Sequence, residues 1–160
     1  MTVALFEATF AESARSDGSI DTTGDGSDSC GANASLGNRH VAVFDVSSIP
    51  SSATVTKIEM VYTALVTNAP SDTWDFRPYA GDGNSNPAAD SGATVYANCV
   101  AGSVYVSTTS FRTTGQKTID MSTAASLAHI QAAVSASRSM HSIALVQQDE
   151  TGASHRAHVF

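Results

Sequence analysis

The chain has 160 residues, a length that suits one domain spanning residues 1–160 with a sizeable core. Hydrophobic residues make up 42% of it and charged residues only 14%, which excludes a disordered chain and, because serine and threonine are abundant, favours β structure. The net charge of −7 argues against a nucleic-acid partner, since phosphate backbones repel an acidic surface, and no apolar run approaches the roughly 20 residues that span a bilayer, so no membrane partner is expected.

The N-terminal part of the chain reads as strands separated by turn-forming sequence. Residues 2–10 predict a first strand, and residues 16–38, rich in glycine, serine, aspartate and asparagine, predict a long acidic loop. Residues 39–46 alternate as a strand does, and Pro50 interrupts the pattern because proline cannot donate a ladder hydrogen bond. Residues 54–66 predict a long strand with a better buried face formed by Thr56, Ile58, Met60, Tyr62 and Ala64.

The rest of the chain predicts further strands and one helix. The helix is expected at residues 122–137, where Leu127, Ile130 and Val134 form one stripe and Ser122 or Thr123 is placed to cap the N-terminus. The strand candidates are residues 74–80, 94–100, 103–111, 116–121, 141–148 and 154–160. Eight to ten strands without strand–helix alternation predict an all-β fold, an antiparallel jelly-roll β-sandwich with one short helix near residues 122–137.

Motifs of catalysis are missing from the sequence, which predicts a protein that is not an enzyme. There is no G-x-S-x-G elbow, phosphate-binding loop, G-x-G-x-x-G or C-x-x-C pattern. His155 and His158 resemble a metal-binding pair, but positions three apart in a strand point to opposite faces. We therefore interpret them as ordinary surface histidines, and no resident cofactor is expected.

The acidic loop is the one candidate metal site. Four aspartates fall within twelve residues, and three of them, Asp21, Asp25 and Asp28, are the candidate ligands for Ca²⁺, which prefers carboxylate and carbonyl oxygens. The spacing matches no EF-hand loop, so a solvated acidic loop is the favoured interpretation and a bound Ca²⁺ the alternative.

The start of the chain and its cysteines bear on the compartment. The opening residues MTVALFEATF lack the basic region and long apolar run of a secretory signal, so synthesis in the cytoplasm is expected. Cys30 and Cys99 are then expected as reduced thiols, and a disulfide between them remains the alternative for a protein that matures outside the cell.

Two stretches resemble a known family. FDVSSIPSSATVTKIEMVY, from residue 44, combines a Phe-Asp-Val-Ser strand end, a proline turn and a long strand, and TIDMSTAASLAHIQAAVSASRSMHSIALVQQDETGASHRAHVF, from residue 118, combines a short helix, a buried strand and a closing strand. Both are similar to DNRLRE-type β-sandwich domains, which are close in shape to carbohydrate-binding modules. The resemblance covers roughly residues 38–67 and 116–160, and it implies a β-sandwich.

The function that this resemblance implies depends on context. A free-standing sandwich of this kind resembles small accessory proteins of phage virions, which predicts a capsid decoration protein at the virion surface, made in the host cytoplasm and bound in many copies to the major capsid protein or other virion proteins. The alternative is a carbohydrate-binding or host-attachment module of a phage tail or fibre, or of a secreted protein, with Trp74 and Tyr79, followed by Tyr96 and Tyr105, as an exposed sugar platform. Burial of Trp74 in the core is the competing interpretation.

Overall fold

The computed structural model describes residues 6–21, 28–33, 36–67, 72–150 and 156–159, and within them the chain forms ten strands and two short helices. The strands are β1 (Ala8–Arg15), β2 (Ile20–Asp21), β3 (Asp28–Asn33), β4 (Leu36–Asp45), β5 (Glu59–Thr67), β6 (Trp74–Pro78), β7 (Val106–Thr108), β8 (Gly115–Asp120), β9 (Met140–Gln147) and β10 (Arg156–Val159). The helices are α1 (Gly92–Asn98) and α2 (Ala124–Ser135). The prediction of an all-β class is confirmed.

The strands pair antiparallel throughout, and β4 is the strand on which the two sheets meet. One edge of β4 pairs with β9 and, further towards its start, with β3, while the other edge pairs with β1. The first sheet therefore runs β2-β1-β4-β9-β6-β7, and the second runs β3-β10-β5-β8. The inner faces of the two sheets pack on each other, and the outer face of the first sheet is covered as well.

An aromatic core joins the two sheets. Tyr62 from β5 stacks on Phe111 with ring centroids 4.4 Å apart, and Trp74 from β6 meets the same Phe111 ring at 5.3 Å. Phe76, Ile119, Met121, Ile143 and Leu145 complete the buried cluster. The predicted strand at residues 54–66 begins only at Glu59, as β5. Its predicted inner face is confirmed at Tyr62 and Ala64, which are buried while Val61 is 52% exposed, but Thr56 precedes the strand and is exposed.

A second apolar cluster covers the outer face of the first sheet, and it corrects the sequence prediction for residues 94–100. That segment was expected to be a strand, but most of it lies in α1, whose N-terminus is capped by Ser91 accepting from the backbone N–H of Thr94. Val95 and Cys99, one helical turn apart, are both buried against the sheet. Alternation in the sequence therefore hid a helical spacing, and the described residues form two α-helices rather than the one that was predicted.

The second helix lies where the sequence predicts it. α2 (Ala124–Ser135) falls inside residues 122–137, and Thr123 is its N-cap, accepting from the backbone N–H of Ser126. Val134 of the predicted stripe is buried. The predicted strand at residues 116–121 is confirmed as β8, and that at residues 141–148 as β9.

Two other segments differ from their predictions. The predicted loop at residues 16–38 contains β2, β3 and the first residues of β4, whose backbones pair with neighbouring strands. The predicted strand at residues 103–111 contains only β7, after which a 3₁₀ turn at Ser110–Arg112 places Phe111 in the core. Residues 2–5 of the predicted first strand lie outside the described residues, and β1 spans Ala8–Arg15, beyond the predicted end at residue 10.

Candidate functional site

A polar cleft opens on the outer face of the first sheet, beyond the C-terminal end of α1. Asp75 and Arg77 lie two apart on β6 and therefore project to the same face, opposite Val146 and Ala144 of β9. Arg39 approaches from β4, and Gln148 and Glu150 follow β9. The cleft has a volume of about 390 Å³, and its apolar lining comes from Val100 and Val146.

The first of two ion pairs in the cleft joins Arg39 to Glu150. The guanidinium donates from Nε to Oε1 at 2.8 Å and from Nη2 to Oε2 at 2.9 Å, and it lies 3.7 Å from the centroid of the Tyr96 ring. The Tyr96 hydroxyl donates to Oε2 of Glu150 at 2.8 Å. Burial alone would lower the pKa of Arg39, but the bonds and charge of Glu150 outweigh it and the pKa is raised. Burial, and then the Glu150 carboxylate, raise the pKa of Tyr96 to about 12.

The second ion pair joins Arg77 to Asp75. Nη2 of Arg77 donates to Oδ2 of Asp75 at 2.9 Å, and Nη1 donates to the carbonyl of Gly102 at 3.1 Å. Oδ1 of Asp75 accepts from Ser107 at 2.6 Å and from Gln148 at 2.8 Å. Burial would raise the pKa of Asp75, but these hydrogen bonds and the Arg77 charge lower it instead. The carboxylate is therefore held in its ionised form.

This arrangement suits recognition better than proton transfer. Each carboxylate in the cleft is hydrogen-bonded to a guanidinium, so neither is poised to give or take a proton. The two positive and two negative charges cancel, so the cleft offers both donors and acceptors without a net charge. Such a site fits a neutral polar ligand and does not select for phosphate.

A serine–histidine pair elsewhere in the fold does not make a nucleophile site. Ser13 Oγ lies 3.4 Å from Nδ1 of His40, but Ser13 is fully buried and His40 is only 7% exposed, so a substrate has no access to the pair. Burial lowers the pKa of His40 to about 4, which keeps the ring neutral at physiological pH. In the described part of the chain, no three or more histidine, cysteine, aspartate or glutamate side chains are grouped so as to hold a metal ion.

Neither aromatic candidate for a sugar platform is exposed. Trp74 and Tyr79 are both fully buried, Trp74 between the sheets and Tyr79 under α1, where its hydroxyl donates to Asp90 at 2.6 Å. Tyr105 is 3% exposed, and Tyr96 packs against Arg39. Trp74, Tyr79 and Tyr105 therefore offer no open face, whereas Tyr96 is half-buried with Arg39 over its ring. The interpretation of Trp74 as a core residue matches its position.

The structure describes only some of the residues proposed as calcium ligands or as cysteines of interest. Asp21 ends β2, Asp28 begins β3, and Asp25 lies outside the described residues, so a bound Ca²⁺ stays a prediction. His155 also lies outside them, and His158 is placed in β10. Cys99 is a free, buried thiol whose pKa is raised to about 12 by burial, which makes it unreactive at neutral pH.

Comparison of the chain with protein-family models and with curated proteins finds no match in either. The resemblance to DNRLRE-type domains therefore remains a prediction from the quoted motifs. Neither of the two helices in the described ranges is long and apolar enough to cross a membrane.

Sequence reasoning missed the residues that build the cleft. The ion pair of Asp75 and Arg77 could have been predicted from the sequence, because opposite charges two positions apart in a strand project to the same face. The pair of Arg39 and Glu150 could not have been predicted, since 111 positions separate the two residues and only the pairing of β4 with β9 brings them together.

The ion pair between Arg39 and Glu150 gives a stability prediction. The two side chains are only 13% and 19% exposed, so Glu150→Gln leaves a guanidinium largely out of water without its counter-charge. We expect the free energy of unfolding to fall by about 3 kcal/mol in urea denaturation. The matched control is Glu59→Gln, which breaks a pair with Lys57 whose side chains are 45% and 52% exposed and should change nothing measurable. Equal effects of the two substitutions would contradict a structural role for the cleft pair.

Proposed function

We propose that the protein is a non-enzymatic structural protein of a virion, a capsid decoration protein with a jelly-roll sandwich that stabilises the assembled shell. The proposal rests on one observation: the side chains capable of catalysis or ligand binding are buried in the fold or paired with one another. The histidines with described side chains are buried or half-buried, the aromatic cluster fills the core, and the charged residues of the cleft are paired with one another. What remains outside is mostly short polar side chains and strand edges, which suit adhesion rather than reaction.

The open edges support a mode of attachment. Within the described residues the pairing order ends at β2, β7 and β8, so each offers unpaired backbone donors and acceptors to a neighbouring sheet. β10 is not available for this purpose, because it pairs with β3 on one side and β5 on the other. Val61, the most exposed large apolar side chain, lies opposite Thr118 of β8 on the outer face.

We assign the shell contact to the β8 edge and the exposed Val61. The partner is the major capsid protein or another virion protein, bound in many copies on the outer surface after synthesis in the host cytoplasm. A protein that binds only the assembled shell stabilises it by mass action, since binding lowers the free energy of the assembled state alone. The acidic surface keeps decorated particles apart in solution.

Co-sedimentation with shells depleted of this protein tests the proposal. We expect saturable binding and a shell melting temperature that rises with added protein. Val61→Asp should weaken binding at least about tenfold, while Val104→Asp, a 37% exposed valine away from β8, should leave it unchanged. Absence of binding to assembled shells would refute the proposal, and equal losses in both variants would refute the assigned contact.

The cleft favours a second candidate, a carbohydrate-binding or host-attachment module. Its paired charges, the amide of Gln148 and the apolar surface of Val100 match the alternating hydroxyls and C–H groups of a neutral sugar. Under this alternative a glycan array should identify a neutral ligand, and Gln148→Ala should weaken its binding while Gln116→Ala, on β8, should not. Lack of binding to any glycan at millimolar concentration would eliminate this candidate.

A further inference from the structure

Three side chains form a hydrogen-bonded chain between β9 and α2, at a place remote from the proposed shell contact and unused by the cleft. Tyr105 Oη lies 2.9 Å from Nδ1 of His129 on α2 and 3.4 Å from Nε2 of His141 on β9. The Tyr105 and His141 rings are nearly parallel, with centroids 6.4 Å apart and an interplanar angle of 15°. His141 is 1% exposed, whereas His129 is half-buried, so solvent protons reach the chain through His129.

Gly83 seals the buried end of the chain. Its φ of +77° favours glycine, and a Cβ at this position would overlap the His141 imidazole. The adjacent backbone is fixed to β9, because the N–H of Ser142 donates to the carbonyl of Gly83 at 2.7 Å. Nδ1 of His141 is buried and has no hydrogen-bond partner in the structure. The imidazole therefore has a single hydrogen-bonded contact, the Tyr105 hydroxyl.

When each imidazole is neutral and carries one N–H, donation along this hydrogen-bonded chain can run in two directions. In the first, Nε2–H of His141 donates to Tyr105, whose hydroxyl donates to Nδ1 of His129, and the unpartnered Nδ1 of His141 carries only a lone pair. In the second, Nδ1–H of His129 donates to Tyr105, whose hydroxyl donates to Nε2 of His141. His141 must then carry its hydrogen on Nδ1, which is a buried N–H without an acceptor. The first direction is therefore the stable one.

We propose that Tyr105 links the protonation of His129 to the hydrogen-bonding state of buried His141, so that this chain is a latch between α2 and the sandwich that weakens in acid. A proton from solvent added at Nδ1 of His129 turns that atom into a donor, and it no longer accepts the Tyr105 hydrogen. The chain must then reverse, which places His141 in its unfavourable tautomer, or the Tyr105 oxygen must accept from both rings, which takes from the Tyr105 hydroxyl hydrogen its acceptor on His129. Either outcome weakens the attachment of α2 to β9.

Nearby charged groups act electrostatically on the three residues of this latch. Among the described residues, Asp82 acts electrostatically on all three members, and Arg138 in turn acts on Asp82. Burial would raise the pKa of Asp82, but its hydrogen bonds with Asn84 lower it, so the carboxylate stays ionised. Burial, followed by the charge of His129, lowers the pKa of His141 to about 4, so His141 stays neutral while the chain responds.

The test is a pH titration of the full chain with ¹³C,¹⁵N-labelled histidines, followed by NMR between pH 8 and 5. At pH 8 we expect His141 as the Nε2–H tautomer, and we expect its ring signals to change with the same midpoint as those of His129. Tyr105→Phe, which removes only the hydroxyl, should abolish the change at His141 and leave the titration of His129 in place. Ring signals of His141 that do not change with pH, or that change equally in Tyr105→Phe, would overturn the proposal.

A second variant and readout separate the latch from a general loss of packing. Hydrogen exchange of α2 amides, corrected for intrinsic rates, should show an opening equilibrium that rises about tenfold from pH 7 to pH 5 in the native chain. In His129→Gln the rise should be clearly smaller, because glutamine does not titrate and only the acid response of the buried histidines His40 and His141 remains. An equal acid response in His129→Gln would overturn the latch even if Tyr105→Phe fails to fold.

Discussion

Replacing Trp74 with alanine is expected to lower the free energy of unfolding by about 4 kcal/mol, the largest effect of a single substitution that we predict. The side chain is fully buried and packs 5.3 Å from the Phe111 ring, which itself stacks on Tyr62 of the other sheet. Its loss would leave a cavity at the centre of the inter-sheet core. Urea denaturation followed by circular dichroism measures the effect.

Two further substitutions calibrate this result. Trp74→Phe should cost clearly less than Trp74→Ala, because phenylalanine retains most of the apolar contact and the buried Nε1–H of Trp74 has no hydrogen-bond partner in the structure. Val61→Ala should have little effect, since Val61 is 52% exposed. If Trp74→Ala lowered the free energy of unfolding by less than about 1 kcal/mol, the aromatic cluster would not be the main packing contact between the two sheets.

Acidification from pH 7 to pH 4.5 is expected to destabilise the fold strongly. Burial lowers the pKa of both His40 and His141 from 6.5 to about 4, so in this interval the unfolded chain binds more protons than the folded one. Stability is then fully present above pH 6.5 and is lost as the pH falls towards 4. Each histidine contributes on the order of 3 kcal/mol over that window.

Urea midpoints at pH 7, 5.5 and 4.5 measure this acid sensitivity. His40→Gln should remove about half of the pH dependence, whatever its effect on stability at pH 7, because glutamine does not titrate. His40 does not contact Tyr105, so its share of the effect should survive in Tyr105→Phe, and this separates general acid lability from the latch. A midpoint that stays constant from pH 7 to pH 4.5 would contradict the neutral, buried state of both rings.

The parts of the fold that could be predicted from sequence are those with long, consistent periodicity. β5 alternates over most of its length, β9 contains the apolar run of residues 143–146, and α2 combines a capping threonine with a helical stripe. α1 was not predicted because its seven residues fit a strand's alternation as well as a helix's spacing. The N-cap formed by Ser91 favours the helix. β3 escaped because its Gly- and Ser-containing sequence is held by backbone pairing to partners elsewhere in the chain.

The candidate site was less accessible to sequence reasoning than the fold. Trp74 and Tyr79 were plausible as a sugar platform because an aromatic strand residue has two possible faces, and α1 and the second sheet bury both of them. The cleft depends instead on Arg39 and Glu150, which meet only through strand register. Register follows from the pairing of whole strands, so local patterns could not reveal this contact.

The mass of the species to which the chain belongs in its native source tests the central claim most directly. Sedimentation or mass photometry of the unfractionated source, with the chain identified by mass spectrometry, provides the measurement. A decoration protein should travel with a megadalton particle in many copies, and its release should lower the stability of that particle. Recovery of the chain only as a free monomer of 16.5 kDa, with no particle carrying it, would contradict the virion assignment.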